Sequence, residues 1–523
     1  MERKIRNLWN SLYNDSDKLN NLLKILSDEK IKYGKSNDTD YWYKNAVIYS
    51  AYTDLFAENF VKFTSRLDYL KNLGINTLWL LPILESPMKD QGFDISDFYN
   101  VRKDLGNNDD FKNFTEACHA KNIKVVFDVA INHTSDQHEW FLKSKEKDEY
   151  YSDFYIWNKD DKKYSDARII FKGIMKSNWQ YDEKRKEYYF HRFYDKQPDL
   201  NYKNPDVFTE MIKMFLFWKE IGVDGFRMDA APFLWKEEGT NCENLFHTHQ
   251  ILKLFRACLD YVNPGTILIA EANQKPNDVV EYFGKSDECH AAYHFPLMPK
   301  IYLAISEKNP EYISDILKEE NTPEIPDNCK WFTFLRCHDE MTLEFVNTEE
   351  RKIIMKNYLK NPLWNFREGE GISGRIYEFM DKNVQKVLLA YGILFSLDGA
   401  PIIYYGDEIA MENDYGFYEK MIKITGYADS RFLNRGVFDE EKMKKINYQE
   451  SSPEKDIYNG LKEIIKKRNN YSRYFSEKPV IKSENGVLIV QRSALKIYNN
   501  LNDYSCETDG IVLKPYESLW INY

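Results

Sequence analysis

The stretch GVDGFRMDAAP, Gly222 to Pro232, decides the fold. It has the pattern of a buried strand running into a loop, and successive strand residues face opposite sides, so Arg227 and Asp229 share one face. Both then point into one cleft, where the arginine favours the ionised form of the neighbouring carboxyl. An aspartate held ionised in a cleft is a candidate nucleophile. Taken alone, such a pair is more often a structural ion pair at a strand end.

The same strand-to-loop pattern recurs on both sides. Apolar strand candidates stand at 46–52, 76–82, 123–133, 222–230, 266–272, 289–295, 331–339 and 400–408, with amphipathic helical segments between most of them. Strands alternating with helices mark a parallel sheet with helical crossovers. Eight such units predict an α/β fold, a (β/α)8 TIM barrel whose functional groups lie at the C-terminal ends of the strands. One connection is too long: from His133 to Asn204 runs a stretch rich in Tyr, Trp, Asp and Lys, which reads as an inserted domain after the third strand, roofing the cleft. Beyond Arg468 the chain changes to short alternating strands, a small all-β C-terminal domain. The expected division is a helical N-terminal extension at 1–41, a catalytic barrel at 42–133 and 204–468, an insert at 134–203 and a β-sandwich at 469–523. The extension carries leucines on one stripe and reads as a surface helix or docking arm.

Composition narrows the function classes. Hydrophobic residues at 43% and charged residues at 30% describe a globular chain, and 11 Trp with 38 Tyr suit a sugar-binding cleft as well as an aromatic core. The net charge of -11 comes from interleaved acids and bases, so nucleic acid is not an expected partner. Seven cysteines without CxxC spacing argue for reduced thiols. No apolar run reaches membrane length and the N-terminus lacks a signal-peptide core, so a cytoplasmic protein without a membrane partner is expected. The oligomeric state is left open.

Four strand ends carry the chemistry. They place Asp128, Asn132 and His133 after the third strand, Arg227 and Asp229 after the fourth, Glu271 after the fifth, and His338 and Asp339 after the seventh. Carboxylic acids converging on one barrel mouth suit glycosidic bond cleavage, in which one carboxylate attacks the anomeric carbon and another group protonates the leaving oxygen. Asp229 and Asp339 nearby would keep Glu271 protonated as that acid.

These four stretches resemble the signature regions of glycoside hydrolase family 13, the α-amylase family. That resemblance implies Asp229 as nucleophile, Glu271 as acid/base and Asp339 as a binder of the distorted ring. It also implies Asp94, His133, Arg227 and His338 as the lining of the first glucose subsite. The phrases NHTSDQHEWF, DARIIF, HRFYDKQPDLNY and DECHAAYHFPLMP are similar to those of trehalose synthases within that family. They imply an isomerase of maltose and trehalose, with a hydrolase of short α-glucosides or malto-oligosaccharides as the alternative. A non-catalytic barrel acting as a binding subunit is disfavoured because all three acids are present. The resemblance also implies a structural calcium ion at Asn132, Asp199 and the carbonyls of Phe233 and Leu234, although Lys236 falls where a glutamate ligand is usual, with Glu237 or Glu238 as substitutes. The chain departs from the family pattern at DLFAENF (54–60), at Cys337 and at ITGYADSRFLNRG (424–436). His247 and His249 read as loop or helix residues rather than metal ligands, and His191 and Arg192 either brace the insert or touch substrate.

Overall fold

In the computed structural model, which describes residues 1–33 and 41–523, the strand carrying Asp229 follows a helix whose ends are written in its sequence. Asn204 caps the helix Pro205–Ile221 by accepting from the Asp206 N–H, proline takes the first turn where no donor is needed, and Gly222 ends it with φ 115°. The strand after it opens with Gly225, a position that needs glycine because a Cβ there would stand 2.9 Å from the Ile267 carbonyl oxygen of the neighbouring strand.

Eight parallel strands close a barrel: β1 (Ile48–Ala51), β2 (Thr77–Leu80), β3 (Lys124–Ala130), β4 (Gly225–Asp229), β5 (Ile267–Ala270), β6 (Ala291–Tyr293), β7 (Lys330–Phe334) and β8 (Ala400–Tyr404), each beside its successor and β8 against β1. The register pairs Asp128 with Arg227 and Ala130 with Asp229, so the charged residues of β3 and β4 share a level near the barrel's C-terminal rim. Below them the barrel is filled by large side chains, with the Trp79 and Tyr293 rings 5.4 Å apart.

Between β3 and the helix Pro205–Ile221 the chain builds a three-stranded antiparallel sheet from Trp157–Asn158, Trp179–Asp182 and Glu187–Phe190. Its core is aromatic, with Phe141 stacked on Trp157 and Trp179 set edge-on to Phe190. At the C-terminus, strands Val480–Glu484, Val487–Arg492, Leu495–Asn500 and Ser518–Asn522 form one antiparallel sheet, with a two-stranded ribbon (Cys506–Thr508, Ile511–Leu513) beside it. This is a sheet and a ribbon rather than two full sheets. The barrel itself covers the other face: Leu488, Val490 and Ile497 join the main core, while Val487, Ile489 and Tyr498 pack with Leu513.

The N-terminal helices Glu2–Leu12 and Ser16–Tyr33 lie against the barrel helix Phe246–Val262. Trp9 is fully buried, its Nε1–H donates to the Asp15 carbonyl at 2.8 Å, and Leu19, Leu22, Leu23 and Leu26 form the buried stripe. The extension is thus docked on its own barrel. Residues 34–40 of the expected extension lie outside the described residues.

Candidate active site

Arg227 is the centre from which the site is built. Its guanidinium bonds Asp128 on β3 and Asp229 on its own strand, the latter at 2.7 Å, and lies over the Trp79 ring at 5.2 Å. Asp128 is pinned from the other side by the Trp79 indole N–H at 2.8 Å. A buried arginine held by two carboxylates and an aromatic face has little freedom, so it fixes Asp229 in turn. The next residue, Ala230, is left-handed at φ 58°, and its N–H donates to Glu271 at 3.1 Å. This single turn brings the ends of β4 and β5 together. Burial first, and the Asp229 charge second, push the Glu271 carboxyl up to about 8, so it is protonated at neutral pH.

Asp339 has the opposite surroundings. Burial opposes its charge, but His338, Arg431 and Arg435 outweigh burial and hold the carboxyl well below the usual range. The contacts are His338 Nε2 at 3.1 Å, Arg431 Nη1 at 2.9 Å and Arg435 Nη2 at 3.2 Å. Phe93 stacks on the His338 ring at 5.3 Å. One cavity is lined by Asp229, Glu271, Asp339, Arg227, His133 and His338 together. The Asp229 carboxyl group bonded by Arg227, a protonated carboxylic acid and a further fixed carboxylate in one cavity can attack an acetal carbon and protonate its leaving oxygen.

The insert closes over this cavity with charged ties. Arg168 reaches Glu344 at 3.4 Å and Lys172 reaches Glu370 at 3.0 Å, both acids standing on the long segment after β7. Glu243, on the loop after β4, accepts from Arg168 and Arg192 of the insert and from Gln274, three residues beyond Glu271. Arg192 is therefore a brace, buried with its guanidinium 4.9 Å from the Phe233 ring, and His191 bonds the Phe193 carbonyl.

Residues 61–473 match the protein-family model of the α-amylase catalytic domain. The chain belongs to the α-amylase family. Among curated relatives, the trehalose synthase/amylase TreS of Mycolicibacterium smegmatis is 45% identical over 382 residues, which is 71% of this chain and 64% of that protein. The trehalose synthase of Pimelobacter sp. is 41% identical over 387 residues, 71% of this chain and 67% of its own. The chain thus spans a little under two thirds of the first relative's length. The crystal structure of an α-amylase from H. orenii has a TM-score of 0.72 at 22% identity, covering 92% of this chain and 99% of that one, a likeness of fold.

Two expectations for this α-amylase family member need correction. Asp94 does not face the cavity. It is fully buried within its loop, accepting from Ser86 Oγ at 2.9 Å and from the N–H groups of Lys89 at 2.8 Å and Asp90 at 3.0 Å. The acid that lines the cavity is Asp90, four residues earlier, bonded by Gln197 Nε2 at 3.0 Å; the same Nε2 lies 3.2 Å from His133.

The second correction concerns calcium. Asn132 and Asp199 do converge, but on the ammonium of Lys236, 2.7 Å from Asn132 Oδ1 and 2.7 Å from Asp199 Oδ2, with its side chain 1% exposed. Phe233 and Leu234 lie just before that lysine in the chain, and Glu237 and Glu238 are exposed, the latter bonded to the Tyr164 N–H. Calcium takes six to eight oxygen ligands, and two of the expected ones here are already taken up by a cation of the chain, Asn132 accepting its hydrogen bond and Asp199 balancing its charge. The residues do not fit a calcium ion.

Arg431 and Arg435 were not named from sequence as site residues, although both stand in the segment ITGYADSRFLNRG that breaks the family pattern. Of these Arg431 lines the cavity, as do Arg367, Phe171 and Asn273. His247 stacks on Trp235, and His249 pairs with Glu288 at 2.7 Å. All seven cysteines are free and six are buried. Among the described residues no helix is long and apolar enough to cross a membrane.

Proposed function

We propose that the protein interconverts maltose and trehalose by moving one glucosyl group between two hydroxyls of the same released glucose. Asp229 attacks the anomeric carbon as the C1–O bond to the leaving glucose breaks, and Glu271 gives its proton to that oxygen. The glucosyl group then rests on Asp229 as an ester. Glu271, now ionised, takes the proton of the 1-hydroxyl of the retained glucose, whose oxygen attacks the same carbon and frees Asp229. Asp339, held ionised by two arginines, and Asp90, at the cavity wall, bind the hydroxyls of the glucosyl ring.

The observation that carries this reading is the roof: Phe171 and Phe193 of the insert line the cavity with Asp229 and Glu271, and Arg168 and Lys172 on either side of Phe171 tie the insert to Glu344 and Glu370. A cavity roofed in this way keeps a freed glucose near the ester and water away from it, which favours transfer over hydrolysis. Identities of 41–45% with proteins named trehalose synthase support the same choice of substrates. Lys236 supplies in this proposal the positive charge that calcium would bring, and free, mostly buried thiols suit a reducing, cytoplasmic setting. The test is product analysis after separate incubation with maltose and trehalose. Each should yield the other as the main product; glucose alone from both would establish the hydrolase instead.

A further inference from the structure

The segment between Asn365 and Ile372 turns through three successive left-handed residues, Arg367 (φ 44°), Glu368 (φ 55°) and Gly369 (φ 98°), of which only the last is glycine. Left-handed backbone is costly at any residue bearing a Cβ, and it persists where the surroundings impose it, most often at functional sites. What this turn achieves is the placing of one side chain. The Arg367 guanidinium enters the wall of the cavity that holds Asp229 and Glu271, on the side of the roof rather than of the strand ends.

Its position is fixed from three directions. It lies 5.1 Å from the ring of Phe171 in the insert and 4.9 Å from that of Phe366, and its Nη1 is 3.3 Å from Glu344. The side chain is 13% exposed, yet its buried Nε–H has no hydrogen-bond partner. A guanidinium so restrained at the cavity wall, with Nη1 its one bonded nitrogen among the described residues, has the other terminal nitrogen, Nη2, left for a hydroxyl oxygen.

We propose that Arg367 holds the leaving glucose, its Nη2–H donating to a hydroxyl of that sugar while the glucosyl group sits on Asp229. The floor of the cavity, at the ends of β3 to β5, is taken by the covalently held ring, so the released one lies between that ring and the roof, where Phe171 contributes apolar wall and Arg367 a fixed donor. The assignment rests on the isomerase reading only in naming glucose as the sugar retained.

Two variants test it. Arg367→Gly removes the side chain and leaves the turn unstrained, because glycine accepts φ 44°; Arg367→Lys keeps the charge and loses the fork. For each, the share of maltose turnover that escapes as free glucose is measured, together with inhibition of α-glucosyl fluoride cleavage by added glucose. We expect the escaping share to rise several-fold in both variants and the glucose inhibition constant to rise roughly tenfold or more. Wild-type partition and inhibition in the glycine variant overturn the proposal, as do wild-type values in the lysine variant, where charge alone would then suffice. If the wild-type protein makes no trehalose, the isomerase reading fails by itself and the inhibition constant still decides the role of Arg367.

Discussion

The Lys236 ammonium and the Asp199 carboxylate lie 2.7 Å apart in a site closed to solvent, joining the loop after β4 to the last residues of the insert. Removing one partner of a buried pair strands the other charge, which costs about 3–5 kcal/mol. Lys236→Met should therefore lower the urea or thermal midpoint sharply, whereas a chelator should leave the wild-type midpoint unmoved. A chelator-induced drop in the wild-type protein would show that a metal is bound after all.

Asp229→Asn keeps the shape of the nucleophile but cannot form the glucosyl ester. Turnover of maltose should fall roughly 10⁴-fold or more with the melting midpoint little changed. Near-normal turnover in this variant would remove Asp229 from the mechanism.

Glu271 must be protonated to act first, and with its carboxyl pushed up to about 8 the alkaline limb of kcat/KM should bend near that pH, falling as pH rises through it. The same shift bears on stability. Below the ordinary value of 4.5 the folded and unfolded chains both carry the proton; between 4.5 and 8 the unfolded chain loses it first. The folded state then binds more protons than the unfolded one, so stability declines across that window, by a few kcal/mol at about 1.4 kcal/mol per unit. Glu271→Gln, which cannot ionise, should gain on the wild type from pH 5 to pH 8 in parallel melting scans. A difference that does not widen with pH would refute the assignment.

Asp90 and Asp94 should separate cleanly by readout. Asp90→Asn should lower kcat/KM roughly 10–100-fold and spare the melting midpoint, since what it loses is a charged contact to sugar. Asp94→Ala leaves two backbone donors and a hydroxyl without their acceptor and should cost about 1–3 kcal/mol of stability. Equal loss of stability in the two variants would argue that both are structural.

All eight barrel strands were legible as apolar runs between amphipathic helices, because buried parallel strands are apolar on both faces. Asp229, Glu271 and Asp339 were legible too, since each follows such a run directly. Asp90 was not. It shares the loop KDQGFD with Asp94, and which acid turns inward is settled by left-handed residues at Met88 and Gln91, a matter of tertiary packing that spacing does not encode. Arg431 reaches Asp339 from 92 residues further along, and only the fold makes them neighbours. Lys236 was visible as a cation where an anion was expected; that its stem is placed to reach Asn132 and Asp199 depends on the turn at Ala231–Phe233.

Glu243 ties two parts of the molecule that have different work to do. The carboxylate that anchors the insert through Arg168 and Arg192 also receives Gln274, on the segment that carries Glu271. One carboxylate thus joins the seating of the roof to the position of the segment that bears the acid, so a substitution at Glu243 is expected to disturb both at once.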